Sequence, residues 1–388
     1  MKFRVVDNIR YIILVSFLAY CFLLPANYFY IKPLLLVCAV ILHFDVVFKC
    51  RNIRVFNIVY FYSLGYCSLS IFISILIGTG SVYDTLSFSY VWLILLLIPA
   101  IVEKNINYLK IFLCLTLIIA IVVDSIFFLD VFGIVDLYQN PVGEFLKNSG
   151  DMQLGKGGLS TYGYNIFYKT TPLLIIGLAY FVIKGRIVLS ALLFLALCLS
   201  GTRANFVAGI LTIYLCFFAD MFKNKEKFVI FTVALLAFLL IVYFFVLDDF
   251  IVKSQAKASS DDIKYSDVND IVNLFLNDKI NILFGFGVGS FFETSARGMV
   301  NTVEMTYFDY FRQVGIVLFV LFMVFIIYPI YFLIKFKIYW LVVSYTLYLI
   351  VAGTNPLLVN STAFVVYILV YSIIINIKIG KLDNCGIR

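Results

Sequence analysis

The residues best placed to do chemistry lie between Asn281 and Gly315, in NILFGFGVGSFFETSARGMVNTVEMTYFDYFRQVG, and at one earlier turn, LSGTRANFVAGIL. In the first stretch Glu304, Phe308 and Arg312 follow one another at spacings of four. A helix beginning near Glu304 stacks them on one face, and Asp309 and Arg312 can also meet. A carboxylate there is a candidate general base; its plain alternative is a helix-start glutamate favoured by the helix dipole, with an ion pair behind it. Arg203, in the earlier turn between two apolar runs, is costly at a membrane edge unless it snorkels or is paired. Held on a short rigid turn, its guanidinium presents a fork of donors to a phosphate or carboxylate, and a membrane-anchored anion is its natural ligand. Lys264 and Arg297 are further cations around the stretch, Arg297 reading equally as a solvated loop charge, and Asn355 sits in a tight Gly353-Thr354-Asn355-Pro356 turn whose polar groups can line the same vestibule. FGFGVG (Phe284–Gly289) is only superficially a dinucleotide fingerprint, since no strand or crossover unit surrounds it; its glycines serve better to turn the chain back. His43 and Asp45 read as structural, whereas Asp124 stays open between a structural and a functional role.

The elements that must position these residues are membrane helices. Of 388 residues, 63% are hydrophobic and 13% charged, against roughly 45–50% and about 25% in a soluble domain. Mean hydropathy is +1.05. No soluble domain is visible, and the net charge of +7 says less than the placement of Lys and Arg, so nucleic acid is a poor partner. MKFRVVDNIR before an apolar run resembles a signal peptide, but no small-residue cleavage site follows Leu24, which reads as an uncleaved first helix. Eight cysteines without a CxxC, one histidine (His43) and no HExxH argue against disulfides, a metal site or a cofactor.

Apolar runs predict an all-α integral membrane protein, a single polytopic domain over residues 1–388 with about twelve spans. They lie near Tyr11–Leu24, Pro33–Phe48, Val55–Ile77, Leu86–Val102, Tyr108–Leu129, Pro172–Ile183, Ile187–Ser200, Asn205–Phe222, Phe228–Leu247, Tyr307–Ile334, Ile338–Ala352 and Ser361–Ile377. Placing both termini in the cytoplasm puts a basic residue in every short inner turn, Lys184, Lys225 and Lys335 among them. Two large loops, Asp130–Thr171 and Asp248–Met305, then face outward. The second contains SDVNDIVNLFLNDKI, a helical pattern with Val268, Ile271, Val272 and Leu276 on its apolar face, expected to lie flat on the membrane surface.

From Leu199 to Leu321 the chain resembles the O-antigen polymerases and the related O-antigen ligases, bacterial inner-membrane glycosyltransferases that act on polyprenyl-diphosphate-linked sugars. LSGTRANFVAGIL resembles that family's Ser-Gly-x-Arg segment entering a helix, ILFGFGVGSF its Phe-Gly-x-Gly segment, and VEMTYFDYFRQVGIVLF the helix entry that follows. The ligases carry a histidine eleven residues before a glycine; counting back from Gly315 lands on Glu304, which favours the polymerase branch. The resemblance implies an inverting, metal-independent polymerase of lipid-linked oligosaccharide repeats, making O-antigen or a related surface polysaccharide on the outer face of the cytoplasmic membrane. Glu304 and Arg203 would be catalytic, with Lys264, Arg297, Arg312, Asp309 and Asn355 binding substrate and no cofactor. Its partners would be the polyprenyl-diphosphate-linked donor and acceptor, the lipid bilayer, a chain-length regulator and a flippase. The rivals are a ligase, which the missing histidine disfavours; a flippase, which would place its cations along helix interiors rather than at ends and loops; and a non-catalytic assembly protein.

Overall fold

The computed structural model describes residues 2–26, 31–50, 53–77, 82–156, 163–221 and 258–381. The span expected near Phe228–Leu247 and the inner Lys225 lie outside the described residues. In chain order the elements are α1 (Lys2–Leu23), α2 (Ile31–Leu42), α3 (Phe44–Cys50), α4 (Arg54–Ile77), α5 (Val82–Glu103), α6 (Tyr108–Val131), α7 (Pro141–Asn148), β1 (Met152–Lys156), β2 (Tyr164–Tyr168), α8 (Thr171–Ile183), α9 (Ile187–Leu199), α10 (Arg203–Met221), α11 (Ala258–Asn277), α12 (Asn281–Phe284), β3 (Phe292–Thr294), β4 (Gly298–Val300), α13 (Thr306–Lys335), α14 (Tyr339–Gly353) and α15 (Ser361–Lys378).

The chain is mostly helical. Five helices, α4, α5, α6, α13 and α15, are long and apolar enough to cross a membrane, and α2 with α3, bent by 66° at their junction, make a sixth if they form one span. The apolar helices α8, α9, α14 and the Arg203–Phe218 part of α10 fall short of the about 20 residues that a bilayer requires. Among the described residues the count is therefore five to six, where the sequence predicts twelve. The expected helical class holds, and both large loops carry in addition a short two-stranded antiparallel sheet. In one, Met152 pairs with Tyr168 and Lys156 with Tyr164; in the other, Phe292 pairs with Val300 and Thr294 with Gly298.

The chain divides into two compact units. The first comprises Met1–Phe112, Ile263–Lys337 and Ala352–Arg388. Its centre is α15, buried from Ser361 through Ile375, as a helix apolar on every side must be. Trp92 of α5 anchors an aromatic cluster with Tyr66 at 4.4 Å, Phe364 at 5.0 Å and Phe325 at 5.3 Å. Two helices here depart from α geometry: α4 is π-helical over Phe61–Tyr66, and α5 is a 3-10 helix over Tyr90–Leu96. Mid-helix departures of this kind often accompany function.

The second unit comprises Leu113–Asp262 and Ile338–Val351. Its loop structure is tied down locally. Asn140 caps α7 by accepting from the Val142 and Gly143 N–H groups at 3.1 Å, with Pro141 at the first helical position. Asp130 accepts from the Leu137 N–H at 2.7 Å, from Lys156 Nζ at 3.2 Å and from the Tyr164 hydroxyl, which fastens the β1–β2 hairpin to the end of α6.

Candidate functional site

In the first unit the loop ahead of α13 builds a small core of its own. Ile271 and Phe275 of α11 pack with Phe292 of β3 and Val303, flanked by Leu274, Phe286, Val300 and Phe311. The buried face of α11 is thus Asp267, Ile271 and Phe275, whereas Val272 and Leu276, expected on the apolar face with Ile271, are exposed and Val268 is half-buried. Ser295, at the tip of the β3–β4 hairpin, donates from its N–H and hydroxyl to Asp270 at 2.8 and 2.7 Å and so pins the hairpin to α11.

On this platform Glu304 stands between two cations, Lys264 Nζ at 3.1 Å and Arg297 Nη2 at 3.5 Å. Behind them Asp267, fully buried, lies 3.2 Å from Arg297 Nη2, yet neither of its oxygens has a hydrogen bond of good geometry. Burial pushes the Asp267 carboxyl above the usual carboxylate range, against the opposing pull of Arg297. The cluster holds two cations and two carboxylates. All but Asp267 are partly open to solvent, so the pairs can exchange for other ligands at small cost. Sequence reasoning gives Asp267 no role; its only sequence signal is its place four residues before Ile271 on the buried face.

The helix expected near Glu304 begins at Thr306, so the face of Glu304, Phe308 and Arg312 does not form. Arg312 is withdrawn instead. Its Nε and Nη2 donate to Asp309 Oδ1 at 3.1 and 2.8 Å, its Nη1 to the Ser290 carbonyl at 3.2 Å and hydroxyl at 2.8 Å, and its Nη2 also to the Asn301 carbonyl at 3.1 Å. The guanidinium lies over the Phe292 ring, 4.1 Å from its centroid. All five N–H groups are used and the side chain is fully buried, so as folded Arg312 has no donor left for a substrate. Asp309 accepts in addition from Gln313 Nε2 at 2.9 Å.

The Phe-Gly-x-Gly segment docks directly on α13. At Gly315 the helix breaks, with φ 68° and ψ 176°, and at Gly285 the loop adopts φ 75° and ψ −174°; both lie where essentially only glycine is found. The break frees the carbonyls of Arg312 and Gln313, which accept from the Phe286 and Gly287 N–H groups, each at 2.9 Å. A Cβ on either glycine would overlap the other segment's backbone. Asn355 meets the same region through its backbone, accepting from the Thr306 hydroxyl.

Comparison with family models, with curated proteins and with solved structures finds no match for this chain. The reading of the site therefore stands on its own residues. In the second unit Arg203 opens α10, and its Nη2 lies 2.7 Å from both oxygens of Asp261. Asp124 is buried in α6, and its Oδ1 has no partner. His43 Nδ1 lies 2.9 Å from the Ala39 carbonyl, and Asp45 pairs with Arg10 at 3.2 Å. Among the described residues no three His, Cys, Asp or Glu side chains converge as metal ligands would.

Proposed function

We propose that this chain is an inverting membrane glycosyltransferase that joins polyprenyl-diphosphate-linked oligosaccharide repeats on the outer face of a bacterial cytoplasmic membrane. The observation that carries the reading is Glu304 held between Lys264 and Arg297, a carboxylate with two exchangeable cations at its side. A lipid diphosphate is the stronger ligand for both cations, since it carries more charge and more acceptor oxygens than one carboxylate. Its arrival draws Lys264 and Arg297 away and releases Glu304 to take the proton of the attacking sugar hydroxyl. The hydroxyl oxygen bonds to the anomeric carbon from the side opposite the leaving group. The anomeric carbon–oxygen bond breaks, and its electron pair departs with the polyprenyl diphosphate, stabilised by cations already in place.

A strain lacking the gene tests the reaction class. Loss of a polymerase leaves a surface polymer of a single repeat, loss of a ligase leaves none attached, and loss of a flippase strands repeats inside; either of the last two results overturns the proposal. Complementing that strain with Arg203→Ala should give about 10²–10³ lower rate, by analogy with removal of a preorganised donor, and Arg203→Lys only partial recovery. Full polymer from the alanine form at normal protein level would reduce Arg203 to the partner of Asp261.

The proposal includes the twelve-span topology with both large loops outside. Cysteines introduced at the exposed Asn148 and Asn269 should react with an impermeant thiol reagent in spheroplasts, and one at Lys184 should not. Labelling at position 184 with protection of the other two would invert the orientation and remove the mechanism.

A further inference from the structure

Next to the Glu304 cluster, and wholly within the first unit, a cavity of about 210 Å³ sits among α4, α5, the head of α13 and the turn before α15. It is smaller than the roughly 300–1,000 Å³ of clefts that take drug-sized ligands, which suits one ring rather than an oligosaccharide. Trp92 and Tyr310 are buried at its inner side, and Pro356 and Asn360, more exposed, stand at its mouth. Its wall draws on both irregular helices: Trp92 lies in the 3-10 stretch of α5, and Tyr310 bonds through its hydroxyl to Tyr66 of the π-helical stretch at 2.9 Å.

Its spare hydrogen-bonding capacity decides what fits. Ser89, 1% exposed, lines the cavity with a hydroxyl that has no partner, and a buried polar atom of this kind demands an explanation. Gln313 spends one Nε2–H on Asp309 and receives the Gly289 N–H at its Oε1, leaving an N–H and a lone pair. Asn360 gives one Nδ2–H to the Pro356 carbonyl, leaving a second. Asp309 lines the cavity too, but Arg312 and Gln313 already hold its oxygens with three N–H donors, and its charge is balanced by Arg312, whose donors are all spent. What remains is neutral: a hydroxyl and two amides beside an aromatic wall, with no cation to offer an anion.

We propose that this cavity binds one neutral sugar ring. The apolar C–H face packs on the aromatic wall, and the hydroxyls pair with Ser89, Gln313 and Asn360. It deepens the polymerase reading, on which it rests for the choice of a sugar over another neutral polyol. An acidic sugar or a phosphate is rejected, because its charge would lie buried beside Asp309 without a counter-ion. The diphosphate of the donor is thereby excluded from this cavity and left to the cations outside it.

The molecule contains its own reporter. Trp92 and Trp340 are the two tryptophans, so Trp340→Phe leaves Trp92 as sole emitter. The full chain in phospholipid nanodiscs, free of maltoside detergents that carry the same kind of ring, is titrated with methyl glycosides of glucose, galactose, N-acetylglucosamine and rhamnose, and with glucuronate and inorganic phosphate. At least one neutral glycoside should change Trp92 emission saturably, glucuronate should bind at least about tenfold more weakly, and phosphate should have no effect. Ser89→Ala, which removes a hydroxyl with no protein partner and leaves packing intact, should weaken glycoside binding several-fold. No response to any neutral glycoside, equal or tighter binding of the anions, or unchanged binding in Ser89→Ala would each overturn the assignment. Because binding is read without turnover, a neutral-glycoside response in a protein whose deletion strain shows no polymerase phenotype would sink the polymerase reading and leave the site standing.

Discussion

Glu304→Gln should lower turnover by about 10²–10⁴, the usual worth of a positioned general base, while lipid-linked substrate still binds. Glutamine keeps the shape and most of the hydrogen bonding but cannot accept a proton at neutral pH. Substrate affinity should hold or rise, because Lys264 and Arg297 lose the carboxylate that competes with the diphosphate for them. If the only role of Glu304 were to pair with those two cations, the change would cost roughly 0–1 kcal/mol of stability, since all three side chains are partly solvated, and activity would persist. The measurement is single turnover and equilibrium binding of lipid-linked repeats by purified protein, with Glu304→His beside Glu304→Gln. Full activity of the glutamine form would end the base assignment. Asp309 would not inherit it, because its oxygens are already engaged by Arg312 and Gln313; Asp124, buried with Oδ1 unpartnered, would be the carboxylate to examine. An active histidine form would support a shared role for this position in polymerases and ligases.

What the sequence could reveal follows from how far apart interacting residues lie. Membrane character is written in composition, which is why the long apolar helices α4, α5, α6, α13 and α15 were all foreseeable. Helix ends were legible where turn residues mark them: the run expected at Ile187–Ser200 is the helix Ile187–Leu199. The hairpin of β3 and β4 is invisible because three residues per strand carry no usable alternation. In α11 the apolar residues Val268, Ile271, Val272, Leu274, Phe275 and Leu276 spread over more than half of the helix's circumference, wider than the one buried side. Its buried side is chosen by Phe286, Phe292, Val303 and Phe311 from later segments, information that no local period contains. The pairing of Asp309 with Arg312 was legible, being local. The partners of Glu304 were not, since Lys264 and Arg297 reach it only after α11 and the hairpin have folded together. Asp267 was hidden for the same reason: a carboxylate in a polar-looking loop gives no sign that it will be buried.

Arg312→Met should be the most damaging substitution in the loop, destabilising the protein by about 3–5 kcal/mol, the cost of leaving one member of a buried ion pair alone. Asp309 would be left buried without its counter-ion, and the Ser290 and Asn301 carbonyls would lose their donors. Arg312→Lys should recover only part of this, because an ammonium with three donors in a different geometry cannot reach Asp309, Ser290 and Asn301 together. Arg312→Met combined with Asp309→Leu removes both charges and should be more stable than Arg312→Met alone, a coupling that a double-mutant cycle on thermal unfolding in detergent would quantify. The cycle also separates the two roles open to this arginine. A structural clamp predicts that protein level and unfolding midpoint fall with the single variant and that polymer length follows the amount of folded protein. A substrate-binding arginine, the expectation from sequence, predicts instead that Arg312→Lys folds at the parent's midpoint yet makes little polymer, with no coupling to Asp309. That second pattern would mean that the loop opens during the reaction cycle and exposes Arg312 to the diphosphate, and Ser290→Cys, buried as folded, would then react with an impermeant thiol reagent only in the presence of lipid-linked substrate.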